Sequence, residues 1–236
     1  CVKLWLSLIS DPQFGVSHFD LALAAAPSHR LLLRSNYFYV QSIDIDAPLH
    51  TNSAAFDDYR HAPEIFGSCR GFILLRYHKS TEFIIWNPSL GVHKRLPGLN
   101  CDEITNEFLH GFGYESSTDD YLLILIPLVS ESPYETGIGI FSFKTYSWDI
   151  DYVDFSYEEI GYKFRSASLL NEALHWLVLS KNENLPFIIA FDLIQRSFLE
   201  IPLLDHFTLE KYEVYCLRVM GGCLIVSCLV RDLKTA

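Results

Sequence analysis

The sequence predicts a mainly β protein built from a repeated unit of short antiparallel strands, and three observations carry that prediction. Aromatic residues make up 14% of the 236-residue chain, with 13 Tyr and 17 Phe against a single Met. Aromatic and β-branched side chains suit the pleated, half-buried surface of a sheet. From about residue 29 onward, short apolar runs alternate with clusters of Gly, Pro, Asn, Asp and Ser, which is the punctuation of strands and turns. Finally, one half-pattern recurs: a strand ending in an aromatic residue, a polar turn, then an apolar residue that closes the unit. Its aromatic anchors are Trp86, Phe141 and Phe191, at steps of 55 and 50 residues.

The opening of the chain reads differently. Val2, Trp5, Leu6 and Ile9 recur at the spacing of one helical face. Asp11 then serves as an N-cap ahead of Pro12 at the first helical position, with Phe14 and the Leu21–Ala26 stretch continuing a second helix. Two short helices are therefore expected before the β text. The expected strands follow in order. They are Arg30–Leu33, Tyr37–Val40, Ser42–Asp46, Gly71–Leu75, Phe83–Trp86, Tyr121–Ile126, Ile138–Phe143, Ala173–Leu179, Phe187–Phe191 and Gly222–Val226. Turn signals separate them at Asn87-Pro88, Ser116–Asp120, Ser180–Asn184 and Gly221-Gly222. A second half-pattern, a turn followed by a strand, recurs at Gly71, near Asp120, at Glu172 and at Gly222. Four strands in roughly 50 residues is the period of a kelch-like propeller blade. The fold expected is thus a partial kelch-like β-propeller of about four to five blades, incomplete as it stands; a β-sandwich is the alternative.

Composition limits the function. Lys and Arg total 18 against 29 Asp and Glu, for a net charge of −11. Gripping a phosphate backbone rests on clustered Lys and Arg, so no nucleic-acid partner is expected. Half the residues are apolar and 20% charged, a balance that supports a large core and is foreign to a disordered chain. The apolar run from Tyr121 to Val129 contains Pro127 and is far shorter than the roughly 20 residues of a membrane-spanning helix; no membrane partner is expected. Cys1-Val2-Lys3-Leu4-Trp5 has neither an initiator Met nor the order of a signal peptide, and reads as the start of a fragment of a longer chain.

The six cysteines, Cys1, Cys69, Cys101, Cys216, Cys223 and Cys228, form no Cys-X-X-Cys pair, and the last three lie in strand-like text. A zinc site needs paired short spacings, so buried free thiols and no metal are expected. Asn87-Pro88-Ser89 is barred from glycosylation by its proline. Both features favour a reducing, intracellular compartment, nucleus or cytoplasm.

Candidate chemistry is sparse. Gly67-Ser68-Cys69-Arg70-Gly71 has the outline of a nucleophile elbow, but that elbow leads from a strand into a helix, and here the text runs on into a strand. The reading preferred is a tight turn with a small buried thiol. His175 lies inside a strand, where a hydrogen-bonded sheet histidine is preferred over a Cys69/His175 dyad. Asp149, Asp151, Asp154, Glu158 and Glu159 lack the glycine and final glutamate of a calcium loop and read as a solvated face. Gly111-Phe112-Gly113 and Gly137-Ile138-Gly139 lack the third glycine of a nucleotide loop. No catalytic residue, cofactor or metal site emerges.

Several blocks together resemble a known family. Cys1 to Phe14 looks like the last helices of a plant F-box motif. Gly67–Leu75, Ile85–Ser89, Phe112–Tyr121, Asn171–Trp176 and Ile189–Pro202 resemble, in order, successive blocks of the plant F-box-associated interaction domain. Three departures fall in turns: Arg70 where the family usually has Asn, Leu90 in place of Thr, and Glu172 in place of Gly. The Leu-Pro-rich opening of the F-box, and the strands that usually follow Gly222-Cys223-Leu224, are missing from the sequence. The resemblance implies an F-box remnant over 1–20 and a propeller-like interaction domain over 21–236. It further implies a substrate-recognition subunit of an SCF-type ubiquitin ligase, with no chemistry of its own. Its partners would be the SCF adaptor subunit, the cullin scaffold indirectly, and an unknown protein substrate. Trp5, Leu6, Ile9 and Phe14 would face the adaptor or pack within the F-box, while the substrate-binding residues stay unassigned. The alternative is a stand-alone binding module, decoy or pseudogene product without ligase coupling.

Overall fold

The computed structural model describes residues 30–34, 39–44, 51–55, 63–76, 82–88, 91–99, 107–128, 136–161, 165–181, 185–203 and 212–230. The two helices expected at the start, with Trp5, Leu6, Ile9 and Phe14, lie outside the described residues. The chain divides into two compact units, Cys1–Gly98 and Leu99–Ala236.

In the first unit, β1 (Arg30–Arg34), β2 (Tyr39–Asp44) and β3 (Thr51–Ala55) form a three-stranded sheet. Strands β4 (Glu64–Cys69), β5 (Phe72–Arg76), β6 (Phe83–Asn87) and β7 (Val92–Arg95) form a four-stranded one. The described parts of the two runs expected at 37–40 and 42–46 are one strand, because Gln41 stays in the ladder opposite Leu33 and Ser53. In the second unit, β8 (Phe108–Glu115), β9 (Asp120–Pro127), β10 (Thr136–Ser142) and β11 (Ser147–Val153) make a further four-stranded sheet. The next sheet runs β14 (Ala173–Ser180), β15 (Pro186–Asp192), β16 (Ser197–Pro202), with β12 (Tyr157–Glu159) and β13 (Ser168–Leu170) both pairing with β14. A hairpin of β17 (Tyr212–Met220) and β18 (Cys223–Val230) follows. Five antiparallel sheets in chain order, with no helix among the described residues, bear out the mainly β, propeller-like expectation.

The repeat is written in the backbone as well as in the side chains. Three hairpins turn on two residues that both hold positive φ: Arg70 and Gly71 (46° and 82°), Asn171 and Glu172 (49° and 58°), Gly221 and Gly222 (59° and 75°). That is the turn whose twist matches a right-handed hairpin. In each larger sheet the residue just before the fourth strand holds positive φ: Gly91 (68°), Tyr146 (56°) and Arg196 (51°). The three aromatic anchors occupy the same third-strand position. Trp86, Phe141 and Phe191 have no exposed surface, and they stand opposite His93, Trp148 and Phe198 on the fourth strands.

In the second unit the sheets of β8–β11 and β12–β16 pack face to face. Leu122, Ile124, Ile126, Ile138 and Ile140 meet Leu174, Trp176, Val178, Ile189 and Phe191 in one core. Removing such a set of side chains from water contributes roughly 1.5–3 kcal/mol apiece before chain entropy is subtracted. The approach is close enough to demand glycine. A Cβ on Gly111 would lie 2.6 Å from Leu174 Cδ1, and one on Gly113 would lie 2.7 Å from Leu193 Cδ1. Gly111-Phe112-Gly113 is thus part of β8, its glycines there for packing.

Backbone bonds stitch the same seam. The His110 N–H donates to Arg165 O (2.7 Å), and the Ala167 N–H donates back to His110 O (2.8 Å). Arg165 is held by Glu159 through a two-pronged pair whose Nη2–Oε1 arm is 2.8 Å. At the turn end, the Ser116 N–H donates to Glu172 Oε2 (3.1 Å), tying one sheet's hairpin to the next.

Candidate recognition surface

Cys69 ends β4 and faces Phe72 across the Arg70–Gly71 turn. The segment is a β-hairpin, so the strand-to-helix geometry of a nucleophile elbow does not form. Burial pushes the Cys69 thiol up to about 12, against a smaller opposing pull from the Arg70 charge. At neutral pH it is a protonated thiol, and the thiolate is the reactive form. The register of β4 against β5 shifts between Ile65 and Gly67, where a β-bulge interrupts the ladder.

His175 sits in β14 opposite Ser168 on one side and Ala190 on the other. Its ring is buried, with Nδ1 3.2 Å from Ser168 O. Burial holds its pKa below the ordinary value, against the contacts to the Ser168 and Ala173 backbone. A carbonyl only accepts, so Nδ1 carries the proton and the neutral ring presents Nε2 as an acceptor. This is the hydrogen-bonded sheet histidine that the strand text pointed to.

The acidic stretch takes the solvated form read from the sequence. Asp149, Asp154 and Glu158 are exposed along and beyond β11, while Asp151 and Glu159 are half-buried. Among the described residues, no three His, Cys, Asp or Glu side chains gather as a metal site. Gly137 and Gly139 lie inside β10. The expectation of buried thiols needs correcting at two positions: Cys223 and Cys228 in β18 are exposed, and Cys216 is half-buried. The physical reason is that β18 is the second strand of a two-stranded sheet, with no further strand beside it among the described residues.

One concave surface stands out on the β12–β16 sheet. Strand alternation puts Leu174, Trp176 and Phe191 on the face that meets β8–β11, and Ala173, His175, Ala190, Asp192 and Leu199 on the other face. The β17–β18 hairpin covers only part of that second face. Leu217, Leu224 and Val226 pack with Leu177, Ile188 and Ile201. Beyond this cluster lies a cavity of about 320 Å³ lined by Leu170, His175, Ala190, Asp192, Leu199 and Ile201, among others. Leu199 is 64% exposed at its rim. Sequence reasoning pointed to His175 but missed Asp192 and Leu199, because the register of β14, β15 and β16 brings them to one face.

Residues 28–228 match the F-box associated beta propeller domain, and the chain belongs to that family. It is similar to an F-box/kelch-repeat protein of Arabidopsis thaliana, 22% identical over 211 residues, covering 84% of this chain and 57% of the relative. It is also similar to a putative F-box protein of the same plant, 24% identical over 225 residues, covering 86% of this chain and 54% of the relative. The chain thus spans about half the length of the curated relatives it matches.

Proposed function

We propose that this chain is the recognition part of an F-box receptor, a substrate-binding subunit of an SCF-type ubiquitin ligase. In this role it performs no chemistry. It holds a protein target so that target lysines meet the ubiquitin-carrying enzyme at high effective concentration. The observation that carries the reading is the family match across 28–228, supported by two relatives whose names place them among F-box proteins. The protonated, buried state of Cys69 fits a binding domain better than a thiol enzyme.

On this reading, residues 1–20 are the end of an F-box and 21–236 the interaction domain. Trp5, Leu6, Ile9 and Phe14 then face the adaptor or pack within the F-box, with the cullin scaffold engaged only through the adaptor. The protein works inside the cell, in nucleus or cytoplasm. Among the described residues no helix is long and apolar enough to cross a membrane.

The test is co-purification of the SCF adaptor with this chain and with a version carrying a completed F-box. Binding by the completed version, lost on Trp5→Ala together with Leu6→Ala, is the expected result. Absence of binding by either version would remove the ligase reading and leave a stand-alone binding module or decoy.

A further inference from the structure

The geometry points to the cavity on the β12–β16 sheet as a subsite for a lysine or arginine side chain presented by a partner protein. This deepens the proposed recognition role and rests on it.

Three features of the cavity converge on a basic side chain. First, its one charged group accepts, beside the neutral polar side chains of Asn171, Gln195 and Ser197. Asp192 Oδ1 takes the backbone N–H groups of Ile194 and Gln195, both at 2.8 Å, and among the described residues the carboxylate has no ion-pair partner. His175 spends its one proton on Ser168 O and offers Nε2 as an acceptor. A ligand group that donates several hydrogen bonds and carries positive charge answers both, and ammonium or guanidinium does so.

Second, much of the lining is apolar. Leu170, Ala190, Leu199 and Ile201 suit the methylene stem of such a side chain, which packs along apolar surface while its charged head stays wet. Third, the surface continues an interface already in use. Ile201 packs against the cluster of Leu177, Ile188 and Leu217 that the β17–β18 hairpin helps to close, and it also lines the cavity. The net charge of −11 favours the approach of a basic partner segment.

The experiment uses the 236-residue chain and short fluorescent peptide pools in which one position is held as Lys, Arg, norleucine or Glu, read by anisotropy. The Lys and Arg pools are expected to bind about fivefold more tightly than the norleucine pool, the ratio a partly exposed charge pair gives. Asp192→Asn keeps a side-chain oxygen for the turn and should abolish the preference. Leu199→Ser, at an exposed position, should weaken every pool. Equal binding of Lys and norleucine pools, no binding by any pool, or an unchanged preference in Asp192→Asn overturns the inference. So does self-association of the chain that Leu199→Ser abolishes, which would assign the face to a second copy. Adaptor co-purification is read independently of these arms, so a failed subsite leaves the ligase reading standing, and a failed ligase reading is seen without them.

Discussion

The indole N–H of Trp176 donates to the carbonyl oxygen of His110 at 3.0 Å, joining β14 to β8 across the seam between two sheets. The same oxygen accepts the Ala167 N–H at 2.8 Å, so one carbonyl of β8 anchors both a core side chain and the segment leading into β13. Trp86, equally buried in the first unit, has no such partner: its Nε1 meets no hydrogen-bond acceptor among the described residues.

That contrast sets the first prediction. Trp176→Phe should lower stability by at least about 1 kcal/mol more than Trp86→Phe, since the net contribution of one neutral hydrogen bond alone is of that size. Trp86→Phe removes an unsatisfied donor, whose burial costs about 1–3 kcal/mol, and so offsets part of its lost packing. Urea denaturation of both variants beside the parent measures the difference. Equal losses would show that the Trp176–His110 bond contributes nothing.

Gly111→Ala and Gly113→Ala should each cost about 1–3 kcal/mol, the range for overpacking a filled interior. Their new methyl groups would stand 2.6 Å from Leu174 Cδ1 and 2.7 Å from Leu193 Cδ1. Gly161→Ala meets nothing within 4 Å and should be close to neutral. Thermal melts of the three variants provide the comparison, and a neutral Gly111→Ala would mean that the two sheets can separate slightly without loss.

Arg70→Asn should raise stability by about 0.5–1 kcal/mol. Arg70 holds φ at 46° in a two-residue hairpin turn followed by Gly71, and Asn tolerates the left-handed region that a long side chain resists. Arg70 stands where the family usually has Asn, and its backbone gives that departure an energetic consequence. A rise in the urea midpoint at unchanged slope is the expected signature.

Stability should increase as pH rises towards about 6.5, the unfolded-state value of a histidine, through His175. Burial lowers its folded pKa below the unfolded value, which lies near 6.5. Between the two values the unfolded chain binds more protons, so acid favours unfolding and stability rises with pH. His175→Asn keeps a donor for Ser168 O and should flatten this part of the profile. Denaturation midpoints across that range check the slope; an unchanged slope in the variant would place the titration elsewhere.

The strands legible in the sequence were mostly interior ones. The runs at β5, β9, β14 and β15 are apolar on both faces because sheets or neighbours cover both, and their burial confirms it. Of the outer strands, β1 and β18 were legible but β7 and β11 were not. In β7 every residue is exposed and the text reads Val-His-Lys-Arg, while β11 was read only as an acidic stretch. Such polar text is how a sheet edge avoids pairing with other chains, and it hides the strand from any search for apolar runs. In β8 the glycines gave no strand signal, because a glycine needed for close packing looks in sequence like a glycine needed for a turn.

The local pattern of residues determined the mainly β class, the roughly 50-residue repeat, the aromatic anchors at Trp86, Phe141 and Phe191, and the family blocks, since each depends on neighbours a few positions apart. Tertiary structure decided what those residues meet. It made Gly111 and Gly113 packing residues, gave Trp176 a partner 66 positions away on His110, and left Cys223 and Cys228 exposed. It also formed the cavity between His175, Asp192 and Leu199. These outcomes turn on how far each sheet covers the next, and coverage is a property of packed surfaces that no spacing along the chain encodes.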